Sequence, residues 1–161
     1  MKTLQDTGHG KLVTIPAGEV EREGNLSIPR GATGVVLFAH GSGSSRFSSR
    51  NRFVADYLNK GGLGTLLMDL MSESEEVIDL QTTQLRFDIA FLAVRLLCAV
   101  DWLKQNPETS AMKIGLFGSS TGGGAALVAA AQQPNDVGAV VSRGGRPDMA
   151  GPALPEVKCP T

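Results

Sequence analysis

Polar and apolar positions alternate through Leu12–Ile15 and Glu19–Ile28. That period of two predicts an antiparallel hairpin, with Glu23-Gly24-Asn25 as its turn. The period then changes, because Gly34–Ala39 reads GVVLFA, a continuous apolar run of the kind buried on both faces of a parallel sheet. Gly64–Leu70, GTLLMDL, repeats it. Between the two, Asn51–Lys60 is amphipathic with Phe53, Val54, Tyr57 and Leu58 on one side, and Gly61-Gly62 ends it. One long helix is predicted over Gln84–Lys104, apolar from Leu85 to Leu103 and stopped by Asn106-Pro107. A strand at Lys113–Phe117, a small-residue helix at Gly123–Gln133 and a last strand at Val137–Ser142 complete the series. Glu73, Glu75, Glu76 and Asp79 read as an acidic loop on the solvated surface.

Strands separated by helices of this size imply right-handed crossovers, so the predicted class is α/β: a mostly parallel, doubly wound sheet with helices on both faces and an amino-terminal antiparallel hairpin. Residues 1–161 form one domain on this reading. The net charge of −1 gives no electrostatic case for nucleic acid or an anionic membrane. Two cysteines, Cys98 and Cys159, do not make a disulfide framework, and no spacing points to a metal or another cofactor. With no apolar leader and no run of roughly 18 apolar residues, the expected location is the cytoplasm.

The chemistry concentrates in MKIGLFGSSTGGG, residues 112–124, where an apolar strand meets Gly118-Ser119-Ser120-Thr121-Gly122 and then a helix. Strand, G-x-S-x-G and helix stand in the order of a nucleophile elbow, with Ser120 at the strained apex and glycines where a side chain would crowd the reversal. An incidental Gly/Ser turn would also match the five residues alone, but the flanks favour the elbow. Acyl transfer also needs backbone N–H donors around the developing oxyanion, and Thr121, next after Ser120 at the positive end of the helix, supplies one. A serine further needs a general base, usually histidine. Both histidines, His9 and His40, precede Ser120.

Together the opening hairpin, FAHGSGSSR at Phe38–Arg46, TLLMDL at Thr65–Leu70, RFD at Arg86–Asp88, GLFGSSTGGGAAL at Gly115–Leu127 and SRGGRPDMA at Ser142–Ala150 resemble the α/β-hydrolase superfamily, and within it the dienelactone-hydrolase-like branch. The resemblance covers nearly the whole chain. It implies a serine hydrolase acting on a small-molecule ester or lactone through an acyl-enzyme on Ser120, with the second oxyanion donor the N–H of Ser42. His40, at the end of a buried strand, is expected to prop that loop by hydrogen bonds, with the catalytic base elsewhere. His9 is expected at the surface. Asp148 occupies a place where some α/β hydrolases carry the triad acid, although capping its turn is the plainer reading. Asp69 could line the site or bond to the region of Arg46 or Arg52, and a structural part is expected of it.

The resemblance further implies strands beyond PEVKCPT that would bring the triad Asp and His, so the chain reads as the amino-terminal part of such a hydrolase. Two classes therefore stay open: a serine hydrolase whose base comes from outside this chain, or a catalytically incompetent fragment or binding protein. If Val137–Ser142 is the last strand, its outer edge is unpaired and invites a second copy or the missing carboxyl-terminal segment, so a homo-oligomer or such a complement is the expected partner.

Overall fold

In the computed structural model, which describes residues 10–161, β1 (Lys11–Ala17) and β2 (Val20–Ser27) pair as the antiparallel hairpin. His9 lies outside the described residues. The turn is not Glu23-Gly24-Asn25 but Gly18-Glu19, where Gly18 takes a φ of 69° and closes the two-residue connection. Gly24 instead lies inside β2, opposite Val13 on one side and Met68 on the other. Asn25 beside it is buried and accepts a hydrogen bond from Arg46 Nε at 3.1 Å. A polar residue buried for a tertiary contact thus imitated a turn signal.

The remaining strands are β3 (Gly34–Ala39), β4 (Gly64–Met68), β5 (Lys113–Ser119) and β6 (Val137–Arg143), and the sheet runs in the order β1-β2-β4-β3-β5-β6. β4, β3, β5 and β6 are mutually parallel, so the carboxyl ends of β3, β4 and β5 emerge together at one end of the sheet. This is the mostly parallel α/β architecture that the sequence predicted. α1 (Ser49–Lys60) covers one face over Phe38, Leu67 and Phe117. The other face packs on α3 (Ile89–Gln105) and α4 (Thr121–Gln132), with Leu37, Leu66, Leu96, Val100, Leu103 and Leu116 almost fully withdrawn from solvent. The inward side of α1 is Asn51, Val54, Ala55 and Leu58, whereas Phe53 and Tyr57, expected on that same apolar side, point to solvent.

Glu73–Thr82 is a helix, α2, where the sequence predicted a solvated loop. Ser72 and Glu75 form a capping box, and the acidic first turn sits at the positive end of the helix dipole. Two of its acids are not solvated: Glu75 pairs with buried Arg95, and Asp79, 2% exposed, pairs with Arg86. The long helix predicted from Gln84 is divided, since Leu85–Phe87 is a 3-10 turn and α3 begins after Asp88, whose carboxylate accepts the Phe91 N–H at 3.0 Å. Nor is the outer edge of β6 left open along its length. The tail returns to it, with Pro160 O accepting the Val140 N–H at 3.0 Å and Val157 and Cys159 packed on the core, while Val141 stays 53% exposed.

Burial pushes the Glu75 carboxyl up, but hydrogen bonds from Arg95 and Ser72 and the charge of Arg95 outweigh it and hold the pKa below the ordinary value. A depressed acid contributes its stability above the unfolded pKa of about 4.3 and loses it as the pH falls further. Replacing Glu75 by Ala leaves the Arg95 guanidinium buried without its counter-ion. Urea denaturation should report a loss of about 3 kcal/mol at pH 7, shrinking toward pH 3.

Candidate functional site

β5 passes into α4 with Ser120 alone between them, at φ 52° and ψ −123°. That is left-handed territory for a residue with a Cβ, and it costs about 1–3 kcal/mol. The crossing is tight enough to require glycine around it: a Cβ on Gly118 would lie 2.5 Å from Gly122 O, and one on Gly122 would lie 2.2 Å from Ala39 O at the end of β3. The apex is held from the β6 side as well. Ser120 N–H donates to Arg143 O at 3.4 Å, while Ser120 O accepts from Gly123 N at 3.0 Å and Arg146 N at 3.1 Å. Ser120 is exposed, and Thr121 beside it is 3% exposed and opens α4, so its N–H has no acceptor within the helix.

The segment leaving β3 runs directly over this apex, since a Cβ on Gly41 would lie 3.2 Å from Ser120 Cβ. Ser42 follows, with its Oγ 3.0 Å from Thr121 Oγ1 and donating to Arg86 O at 3.3 Å. The hydroxyl hydrogen of Thr121 is then the one shared between the two side chains. His40, 5% exposed, has both ring nitrogens engaged: Nε2 accepts the Leu70 N–H at 3.0 Å, so Nδ1 carries the proton and donates to Gly41 O at 2.9 Å. Burial pushes its pKa below the ordinary value, against smaller upward pushes from the Gly41 carbonyl and Asp69, so the ring is neutral. Asp69 caps the Arg46 N–H at 2.8 Å and pairs with the Arg46 side chain, which also reaches Glu23 at 2.9 Å.

Ser120 opens on a cleft of about 440 Å³ lined also by Gly41, Ser44, Asn51, Arg50 and Arg143. Two larger depressions, of about 660 and 830 Å³, lie away from Ser120. Along the cleft wall Arg143 Nη2 donates to Ser119 Oγ, which donates to the buried Asn51 Oδ1, each at 3.3 Å. Sequence reasoning missed this row and the Arg86 contact to Ser42; the inward-facing polar Asn51 on an otherwise apolar helix side was the available signal. Asp148 sits in a 3-10 turn after β6, exposed, and its carboxylate is taken by Arg146 at 2.7 Å. That pairing, first of all its hydrogen bond, holds the Asp148 pKa below the ordinary value. Among the described residues no group of His, Cys, Asp and Glu could hold a metal ion, and no helix is long and apolar enough to cross a membrane.

A family model described as the dienelactone hydrolase family matches residues 32–161. Among solved structures, a dienelactone hydrolase from Anabaena variabilis is 64% identical, superposes with a TM-score of 0.91 and is matched over 93% of this chain and 69% of its own. Est1E from Butyrivibrio proteoclasticus, 19% identical with a TM-score of 0.65 over 80% of this chain and 49% of that one, shares the fold. Proteins of two Mycobacterium tuberculosis strains, both named as putative phosphoribosyl transferases, are 50% identical over 149 residues, or 92% of this chain. The chain spans 33% of the length of those curated relatives.

The strain at Ser120 is measurable without any substrate. Alanine keeps the Cβ that φ 52° penalises, whereas glycine accepts that backbone freely. Ser120→Gly should therefore be more stable than Ser120→Ala by about 1 kcal/mol in urea denaturation, the reverse of the order expected at an ordinary position.

Proposed function

The chain belongs to the dienelactone hydrolase family, and from that premise we propose that it carries the nucleophile and oxyanion half of a serine hydrolase acting on small carboxylic esters or lactones. The observation that carries the reading is the strained, exposed Ser120 between β5 and α4, with the Ser42 segment laid across it. Ser120 Oγ attacks the acyl carbon and gives up its proton to a base. The carbonyl oxygen, now negative, accepts from the N–H groups of Ser42 and Thr121, which need no reorganisation to receive it. The bond to the leaving alkoxide then breaks, the alkoxide takes the proton from the base, and water hydrolyses the acyl-enzyme to free the acid.

The base comes from outside the described residues on this reading, because His40 spends both nitrogens on Gly41 and Leu70. His40 supports the loop, and Asp148, the possible acid, is paired with Arg146, a pairing that an incoming imidazole would have to displace. The engagement of His40 also favours the second reading, in which the chain is a catalytically incompetent fragment or a binding protein. The two differ in whether Ser120 reacts. Phosphoribosyl transfer, the name borne by the longer Mycobacterium proteins, is not carried over, since the match takes in only 33% of those chains.

An oxyanion hole without a working triad still accelerates hydrolysis by about 10³–10⁴-fold over water. The chain should accordingly hydrolyse activated aryl esters slowly, with no inflection near pH 6.5, roughly the ordinary histidine pKa. A fluorophosphonate should label it slowly, losing fluoride to form the Ser120 phosphonate, and Ser120→Ala should abolish the label. A folded chain whose Ser120 takes no label would favour the second reading. A His40→Gln chain that folds but loses a fast reaction would make His40 the base.

A further inference from the structure

We infer that Asp79 is a positioning residue for the proposed oxyanion donors, acting through Arg86 on Ser42. The inference rests on the hydrolase reading for its kinetic consequence, and on geometry alone for the linkage. Asp79 lies on α2, is 2% exposed, and holds Arg86 twice: Oδ1 accepts the Arg86 N–H at 2.9 Å and Oδ2 accepts Arg86 Nε at 2.8 Å. The backbone of Arg86 is thereby fixed within its 3-10 turn, and its carbonyl is the acceptor for Ser42 Oγ at 3.3 Å. That hydroxyl in turn takes the hydrogen of Thr121 Oγ1 at 3.0 Å. A buried carboxylate far from the elbow in sequence therefore ends a continuous chain of hydrogen bonds reaching both residues whose N–H groups would receive the oxyanion.

The pair also explains itself poorly as stability alone. A buried ion pair is often no better than apolar residues of the same volume, whereas it does impose one geometry. Burial raises the Asp79 pKa, yet the Arg86 hydrogen bonds outweigh burial and hold it below the ordinary value, so the carboxylate stays charged and bonded throughout the neutral range. Arg95, the cation that α3 brings to α2, is committed to Glu75, which leaves Arg86 as the partner of Asp79.

The test uses Asp79→Asn, which keeps the volume and loses the charge-assisted fork, with Arg86→Lys as the second variant should the first prevent folding. In two-dimensional amide NMR of the chain, the Ser42 and Thr121 signals should shift and the order parameter of Ser42 should fall. On an activated aryl ester, kcat should drop about tenfold with KM unchanged, the scale expected when a donor is displaced but not removed. In a Ser42→Ala background the same substitution should cost less than about twofold, because the link is already cut. Unshifted Ser42 and Thr121 signals, or an undiminished loss of about tenfold in the Ser42→Ala background, would overturn the inference. If Ser120 takes no fluorophosphonate label, it is the hydrolase reading that fails, and the NMR comparison alone then decides the linkage.

Discussion

Much of this molecule is organised around one unfavourable backbone conformation, that of Ser120. A residue at φ 52° persists only where its surroundings over-determine it. Here three separate elements do so: the end of β3 presses on Gly122, the last residue of β6 accepts the Ser120 N–H, and the turn after it donates through Arg146 to Ser120 O. The parallel order β3-β5-β6 is what brings these together, because it delivers three strand ends to the same side of the sheet. The buried layer of Leu37, Leu116 and Val140 fixes that order, so core packing and site geometry are one problem.

Around the apex the polar groups are arranged to hold loops rather than to titrate. His40 stays neutral and ties the segment after β3 to Leu70 in the bend just beyond β4. Asp69, just after β4, holds Arg46 of the same segment, and Arg46 joins that segment to Asn25 on β2. The ion pairs of α2 extend the web to Arg86 and Arg95. Each side chain connects elements distant in sequence, and each is buried or half-buried, where an unpaired charge would cost several kcal/mol, of the order of 3–5. On the hydrolase reading this web is what keeps two backbone N–H groups aimed at one point.

The parallel strands were legible because a strand buried on both faces needs an unbroken apolar run, and GVVLFA and KIGLF supply it without competing signals. The elbow was legible because its glycines have a steric necessity that leaves few alternatives. The missed features share a different physics. Gly24 and Asn25 read as a turn because the contact that buries Asn25 comes from Arg46 in a remote loop. The acids of α2 read as solvated because their partners, Arg86 and Arg95, lie on later elements. The division of the long helix at Asp88 follows instead from a local cap, since Asp88 has a non-helical ψ of 86° and its carboxylate accepts the Phe91 N–H. Tertiary ion pairs leave no local periodicity to read.

The chain belongs to the dienelactone hydrolase family and shares its fold with Est1E. The central claim is that Ser120, Ser42 and Thr121 form one preorganised constellation. A crystal structure of the chain carrying a phosphonyl group on Ser120 tests it most directly. The account requires the phosphonyl oxygen within hydrogen-bond distance of both the Ser42 and Thr121 N–H groups, with the backbone of both unmoved. A phosphonyl oxygen turned instead toward Arg143, or a Ser42 segment lifted from the elbow, would contradict it.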